Sequence, residues 1–572
     1  MTLIVPKIIY LNILNKMTEK NKKIKQILSL AFENHKKNNL VLAADLYKKA
    51  LKIDSSHEES LYLLGTLNLQ QRKYDESEKL FQKALKVNPN HLNVKHNLAY
   101  IYLEIGKHEE AKKLFKEVLE VNPNHLDANY NLGNTYKFFG ESEKAEKFYK
   151  KAIKINPNNP KAFNNLGNIL KDLGKFNEAI DSYKKAIHLQ SNHANAYHNL
   201  ANTYKQLGEF NKAINYYEKS LKHQPLNLET FSTLTDLKKD KIDSNLKIKI
   251  EKIMKEKKLS QKDIAYGNFL LSKHEYQNES FEKEFNYLLK AHSHYYKYAE
   301  KRYDRGVKYW LDEIPNNKEL FDIGKSNSIS KETNNEIKPI FIVGVPRCGS
   351  TMIEKVIASG EKNISIGEET AIISFYVGEK MVSNESFNSG IHNLKESIIQ
   401  RYKQRGFINK DSDYIFTDKS LDNFFFIGLI KKIFPNAKII NCKRKPIASI
   451  ISILKNNLGD VSWAHNIEHI FKFFDIYHRR IKDFKELHPG FIYDLQLEDF
   501  VKDPETESKK LMSFCDLPWN KKCLEFYKRK DLKSRTASNI QIRQPIYKNA
   551  SDKHLPYKNI LSKYGHKYNW FN

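Results

Sequence analysis

Apolar residues between positions 24 and 227 fall at the spacing of amphipathic helices, and the pattern repeats every 34 residues. Pro89, Pro123, Pro157 and Pro225 mark the period, with Ser55 and Ser191 at its two other points. Such a period predicts helix-turn-helix units. In the copy from Leu126 to Asn159, Leu132, Gly133, Tyr136, Ala145, Tyr149 and Ala152 take the packing positions ahead of Pro157. The register is kept by Leu64/Gly65/Phe81/Ala84, Leu98/Ala99/Ala111/Phe115, Leu166/Gly167/Ala179/Tyr183/Ala186 and Leu200/Ala201/Ala213/Tyr217. Ala31, Ala43, Tyr47 and Ala50 open the series, which makes six copies. Small residues let paired helices approach closely, and the aromatics fill the space between successive pairs.

The period is lost after Leu228. Ala265 to Tyr296 still reads as two paired amphipathic helices, expected to cap the repeats, and the polar, aperiodic stretch 326–338 is taken as a boundary. Beyond it, short apolar runs at 339–343 (PIFIV), 414–416 (YIF) and 437–442 (AKIINC) predict strands between helical stretches, hence an α/β domain with a mostly parallel sheet.

The 34-residue copies resemble tetratricopeptide repeats. That resemblance implies an all-α superhelix with a concave face over residues 24–227, after an N-terminal tail (1–23) and before a helical capping or linker region (228–338). A second series lies on the same grid: Asn97, Asn131, Asn165 and Asn199, with Asn134, Asn168 and Asn202 three residues further on. Residues three apart share a helix face, and amides both donate and accept. The series resembles the asparagine ladder of the O-linked N-acetylglucosamine transferases, which implies an exposed surface gripping an extended peptide. The alternative is an Asn-rich chain placing Asn on exposed helix positions.

The chain has 572 residues, enough for several folding units. Its net charge of +28 favours anionic partners, although Lys is spread over the whole length. No nucleic-acid-binding motif accompanies the charge, and no apolar run is long enough to span a membrane. The apolar opening is interrupted by Pro6 and Lys7, which argues against a signal peptide, and Met17 is a second candidate start. Four cysteines (Cys348, Cys442, Cys515, Cys523) form no CxxC pair or zinc-spaced cluster. The expectation is a cytoplasmic protein without a metal site.

The chemistry starts after the PIFIV strand. Gly344-Val-Pro-Arg347-Cys348-Gly349-Ser350-Thr351 links it to the helical pattern MIEKVIAS, and strand, glycine loop and helix make a phosphate cradle. The GxxxxG spacing matches a nucleotide-binding loop, yet Ser350 stands where Walker A requires Lys, which disfavours transfer from ATP.

FIVGVPRCGST instead resembles the 5′-phosphosulfate loop of sulfotransferases, with Arg347 in place of the lysine. The resemblance covers 339–572, the expected sulfotransferase domain. Gly367-Glu368-Glu369-Thr370 is similar to the GEET segment of the tyrosylprotein sulfotransferases, which implies Glu368 as general base; on the residues alone, paired Glu also suit a helix N-terminal turn. Asp418-Lys419-Ser420 resembles the element whose Lys neutralises the leaving oxygen. Arg444 and Ser452, eight residues apart, match the 3′-phosphate site, while Ser538 and Lys553 match contacts of a closing segment. The departures are Leu497 where a Tyr is frequent, Ala371 where an Arg follows GEET, and Ile366 and Thr417 in place of a flanking Cys pair.

The implied activity is transfer of the sulfuryl group of 3′-phosphoadenosine 5′-phosphosulfate (PAPS) to a hydroxyl. Arg347, Cys348, Gly349, Ser350, Thr351, Arg444, Ser452, Ser538 and Lys553 would bind the donor, Glu368, Lys419 and Arg347 would act in catalysis, and a protein acceptor would dock on the repeats. The competing classes are a non-catalytic scaffold with a nucleotide-binding C-terminal domain and a nucleotide kinase.

Overall fold

The computed structural model describes residues 7–255, 259–323, 337–360, 364–383, 386–387, 391–408, 415–529, 543–546 and 553–571. They divide into two compact units, Met1–Thr203 and Tyr204–Asn572. The division falls inside the sixth repeat, within the helix Ala194–Leu207.

The first unit is a succession of helix pairs, such as Leu126–Phe138 with Ser142–Ile155 and Pro160–Asp172 with Phe176–Leu189. Its first helix runs Lys7–Lys36, so the stretch expected as a tail is helical from Lys7. Where a pair carries a glycine at the crossing, it is there for close approach: a Cβ on Gly133 would lie 2.8 Å from the Tyr149 ring, and one on Gly167 would lie 2.6 Å from Tyr183. Side chains of His57, His91, His125, Asn159 and His193, each one period after the last, accept from the backbone N–H three residues on and cap the helices.

The asparagine series is not the exposed face expected from the sequence. Asn131 is buried, and Asn97, Asn134, Asn165, Asn168 and Asn199 are half-buried. Asn165 donates to Tyr130 Oη (3.0 Å) and Asn134 Oδ1 (3.1 Å), and Asn199 donates to Asn164 Oδ1 (3.0 Å). Tyr149 and Tyr183 donate to Asn134 and Asn168, both at 2.7 Å. Amide groups half-removed from water need partners, and the paired helix and the neighbouring repeat supply them.

The second unit holds helix α1 (Gln261–Gln277), helix α2 (Phe281–Tyr298) and a five-stranded, all-parallel sheet. In chain order follow β1 (Lys338–Gly344), α3 (Ser350–Gly360), β2 (Ser365–Ile366), α4 (Ile372–Ser383), β3 (Ile415–Asp418), β4 (Lys438–Lys443), α5 (Pro446–Lys455), α6 (Ile467–Leu487) and β5 (Ile492–Gln496). The strand order is β2-β3-β1-β4-β5. Chain connections diverge on either side of β1, which opens a crevice at its carboxyl end, where the glycine loop begins. Buried Phe285, Leu288 and Ala291 of α2 belong to the same apolar core as the strands. The paired helices expected as a cap therefore contribute to the sheet's own core.

Candidate active site

The loop after β1 is held in an uncommon backbone conformation. Arg347 takes φ of 71°, a region non-glycine residues rarely occupy and one that clusters at functional sites. Gly349 takes φ of 93°, and a Cβ there would lie 2.6 Å from Leu497 Cδ1. Leu497, noted for standing in place of a Tyr, thus packs over the loop. Arg444, just beyond β4, donates to Arg347 O at 3.0 Å, and Arg347 Nε donates to Ser452 Oγ on α5 at 3.0 Å. The structure therefore brings Arg347, Arg444 and Ser452 together. Burial and the neighbouring Arg444 push the Arg347 guanidinium down to about 10, and burial lowers Arg444 as well. Two crowded guanidiniums, beside the α3 N-terminus whose first turn has no acidic residue, form a cradle that an anion would relieve. Ser350 and Thr351 open that helix. Buried Cys348 lies beneath, where a hydrogen bond with Cys442 and the charge of Lys419 lower its pKa. All four cysteines are free and buried.

Across α3 lies the second half of the site. The turn between β2 and α4 carries Glu368 and Ala371 at φ of 53° and 51°. It is stitched to the end of β3: Gly367 N donates to Thr417 Oγ1 (3.2 Å), Lys419 N to Glu368 O (2.7 Å), Thr370 Oγ1 to Asp418 Oδ2 (2.5 Å) and Ala371 N to Ser420 Oγ (2.9 Å). The Glu368 side chain is 15% exposed, with Lys355 Nζ 3.5 Å from its Oε1. Lys419 Nζ is fully buried, 3.0 Å from Oε1 of a Glu369 side chain that is 60% exposed. Burial opposes the Lys419 charge, but Glu369 and Glu354 outweigh it and raise its pKa, so Lys419 is a cation here.

Sequence reasoning missed Glu354 and Lys355. Both are buried in α3, and Glu354 Oε1 accepts from Glu368 N (3.0 Å) and Thr417 Oγ1 (2.9 Å). The signal was available: an adjacent acid and base inside the otherwise apolar MIEKVIAS. Lys553 is exposed; burial, and to a lesser extent the charge of Lys553, lowers the pKa of Lys455 at the end of α5, and Ser538 lies outside the described residues. Among the described residues no group of three His, Cys, Asp or Glu is placed to hold a metal, and no helix is long and apolar enough to cross a membrane.

Residues 339–521 match the model of the sulfotransferase family, and stretches between 56 and 227 match models of the tetratricopeptide repeat. The chain thus fuses tetratricopeptide repeats to a sulfotransferase-family domain. It is 28% identical over 316 residues to an uncharacterized protein of Aquifex aeolicus (strain VF5), covering 52% of this chain and 40% of that one. It is 25% identical over 217 residues to a protein-tyrosine sulfotransferase of Drosophila melanogaster, covering 33% of this chain and 40% of that one. The chain therefore spans two-fifths of the length of each of these relatives. Among solved structures, that of MamA is similar at a TM-score of 0.27 and 24% identity, over 28% of this chain and 95% of that one.

Proposed function

We propose that the C-terminal domain transfers the sulfuryl group of PAPS to an acceptor hydroxyl, and that the repeats present a protein acceptor to it. The observation that carries this reading is the shared frame of α3. Its N-terminus forms the anion cradle with Arg347 and Arg444, and one turn later Glu354 holds the turn that bears Glu368. The donor supplies a sulfuryl group on a phosphate leaving group.

Arg347, Arg444, Ser452 and the first amides of α3 bind its phosphates by charge-assisted and backbone hydrogen bonds. Glu368 takes the acceptor proton as the acceptor oxygen bonds to sulfur and the bridging bond from sulfur to the phosphate oxygen breaks. Hydroxyls are weak nucleophiles at neutral pH, so a positioned carboxylate contributes about 100- to 10,000-fold in rate. Lys419 and Arg347 stabilise the charge left on that bridging oxygen.

The repeats and the similarity to a protein-tyrosine sulfotransferase support a protein acceptor. The test is transfer of label from sulfur-labelled PAPS to a cell protein extract by the purified chain, with Glu368→Gln alongside. The expected result is labelled protein with the parent chain and none with the variant. Donor binding without transfer by the parent would instead support a nucleotide-binding scaffold.

A further inference from the structure

Glu354 occupies a place that packing alone does not explain. It lies in the second turn of α3, is 0% exposed, and sits among buried Ile353, Val356 and Ile357. Burial of a carboxyl there is costly, and burial raises its pKa against the opposing pull of Lys419 and Lys355. An apolar residue would fill the space at no such cost.

What the carboxyl does is visible in its bonds. Oε1 accepts both Glu368 N (3.0 Å) and Thr417 Oγ1 (2.9 Å), and Thr417 Oγ1 in turn accepts Gly367 N (3.2 Å). Two successive amides of the turn are thereby held to one buried side chain, directly and through a hydroxyl. Among the described residues Oε2 has no hydrogen-bond partner and lies 4.0 Å from Lys355 Nζ, which is itself 3.5 Å from Glu368 Oε1. The turn needs such a hold, because Glu368 is in the left-handed region at φ of 53°.

The position along the helix matters equally. Glu354 follows Ser350, the first residue of α3, by four residues, about one turn and about 6 Å of rise. A rigid helix with the anion cradle at its start and this clamp one turn on fixes the distance between donor and base.

We propose that Glu354, acting through Thr417 and the Glu368 amide, is a positioning residue that registers the Glu368 carboxylate against the donor loop. This rests on the sulfotransferase reading given above. Lys355 completes it by holding the Glu368 side chain itself.

The test uses the full chain, sulfur-labelled PAPS and a fixed protein extract as acceptor, with binding of the product 3′-phosphoadenosine 5′-phosphate (PAP) measured by calorimetry. A displacement of about 1 Å costs roughly 100-fold, so Glu354→Ala is expected to lower the saturated transfer rate by about that factor. The apparent KM for PAPS and the affinity for PAP should change little, because the cradle is untouched. Glu354→Gln should recover most of the rate, since its amide oxygen still accepts both bonds. Thr417→Val keeps the volume, removes the bridge, and should lower the rate with PAP affinity unchanged even if Glu354→Ala does not fold. A Glu354→Ala chain that transfers like the parent, a loss of rate matched by loss of PAP affinity, or no recovery in Glu354→Gln would each overturn the proposal. If Glu368→Gln itself still transfers, the base assignment fails; if it is inactive while Glu354→Ala is active, only the positioning role fails.

Discussion

Arg347 Nε donates a 3.0 Å hydrogen bond to Ser452 Oγ across 105 residues of chain. The bond ties the loop after β1 to the helix after β4, and Arg444 closes the same junction through the Arg347 carbonyl oxygen. A charge-assisted contact to phosphate contributes about 1.5–3 kcal/mol, so Arg347→Ala and Arg444→Ala should each bind PAP about 10 to 100 times more weakly. Because the two residues share a bond, the double variant should lose less than the product of the single losses. Calorimetry with PAP measures all three, and unchanged affinity in both single variants removes the assigned donor site.

Lys419 differs from most buried cations in that its partner, Glu369, is 60% exposed. Removing one member of a buried pair is costly when the other is stranded, but Glu369 can be solvated where it stands, and buried Glu354 keeps Lys355 Nζ 4.0 Å from its Oε2. Lys419→Met is therefore expected to fold and bind PAP while transferring about 100- to 1,000-fold more slowly, the loss typical of a removed transition-state donor. A variant within a few-fold of the parent rate would take Lys419 out of the chemistry.

The repeats, the three strands β1, β3 and β4 and the glycine loop after β1 were legible, because each rests on local pattern: Pro157 one period after Pro123, or Gly349 five residues after Gly344. The clamp on Glu368 was not, because it joins Glu354, Thr417 and Glu368 from three separate elements. The asparagines were misplaced for a related reason. Their spacing puts them on one helix face, but only the neighbouring repeat decides that Tyr130 and Asn134 meet Asn165 there. The contribution of α2 to the sheet's core was hidden too, since its amphipathic pattern does not say which surface it covers.

His292 and His465 form a buried pair, their Nδ1 atoms 3.0 Å apart, with His292 Nε2 2.9 Å from Leu454 O. Burial lowers His292 to about 4, and burial with His292 nearby lowers His465 to about 3, from 6.5 for the free side chain. Between pH 6.5 and 4 the unfolded chain binds protons that the native unit refuses. This stability is therefore complete above that window and is lost as pH falls through it. His292 alone should cost about 2 kcal/mol on going from pH 7 to pH 5. Trp310, Trp463, Trp519 and Trp570 all lie in this unit, so tryptophan fluorescence reports on it selectively. A denaturant midpoint that does not fall between pH 7 and pH 5 would contradict the assignment.

The asparagine series makes a prediction about stability before any about docking. Asn165 Nδ2 is shared between Tyr130 Oη at 3.0 Å and Asn134 Oδ1 at 3.1 Å, and Asn134 Oδ1 also accepts Tyr149 Oη at 2.7 Å. Asn97 makes longer contacts, 3.4 Å to Thr66 Oγ1 and 3.2 Å to His96 Nδ1. Replacement by Ala raises helix propensity equally at both positions, by roughly half a kcal/mol, so the difference between the variants isolates the hydrogen bonds. Each well-made bond contributes about 1 kcal/mol net, and Asn165→Ala also leaves half-buried oxygens short of a donor. Asn165→Ala should therefore melt about 2–4 °C below Asn97→Ala, the shift that about 1 kcal/mol produces in a unit of this size. Far-ultraviolet circular dichroism of the full chain reads it, because the first unit is helical. Equal melting would mean that the amides do not join the repeats and are available to a bound peptide. In that case the four-site variant, Asn97, Asn131, Asn165 and Asn199 all to Ala, tests docking directly: labelling of the protein extract should fall while transfer to a small phenol is retained.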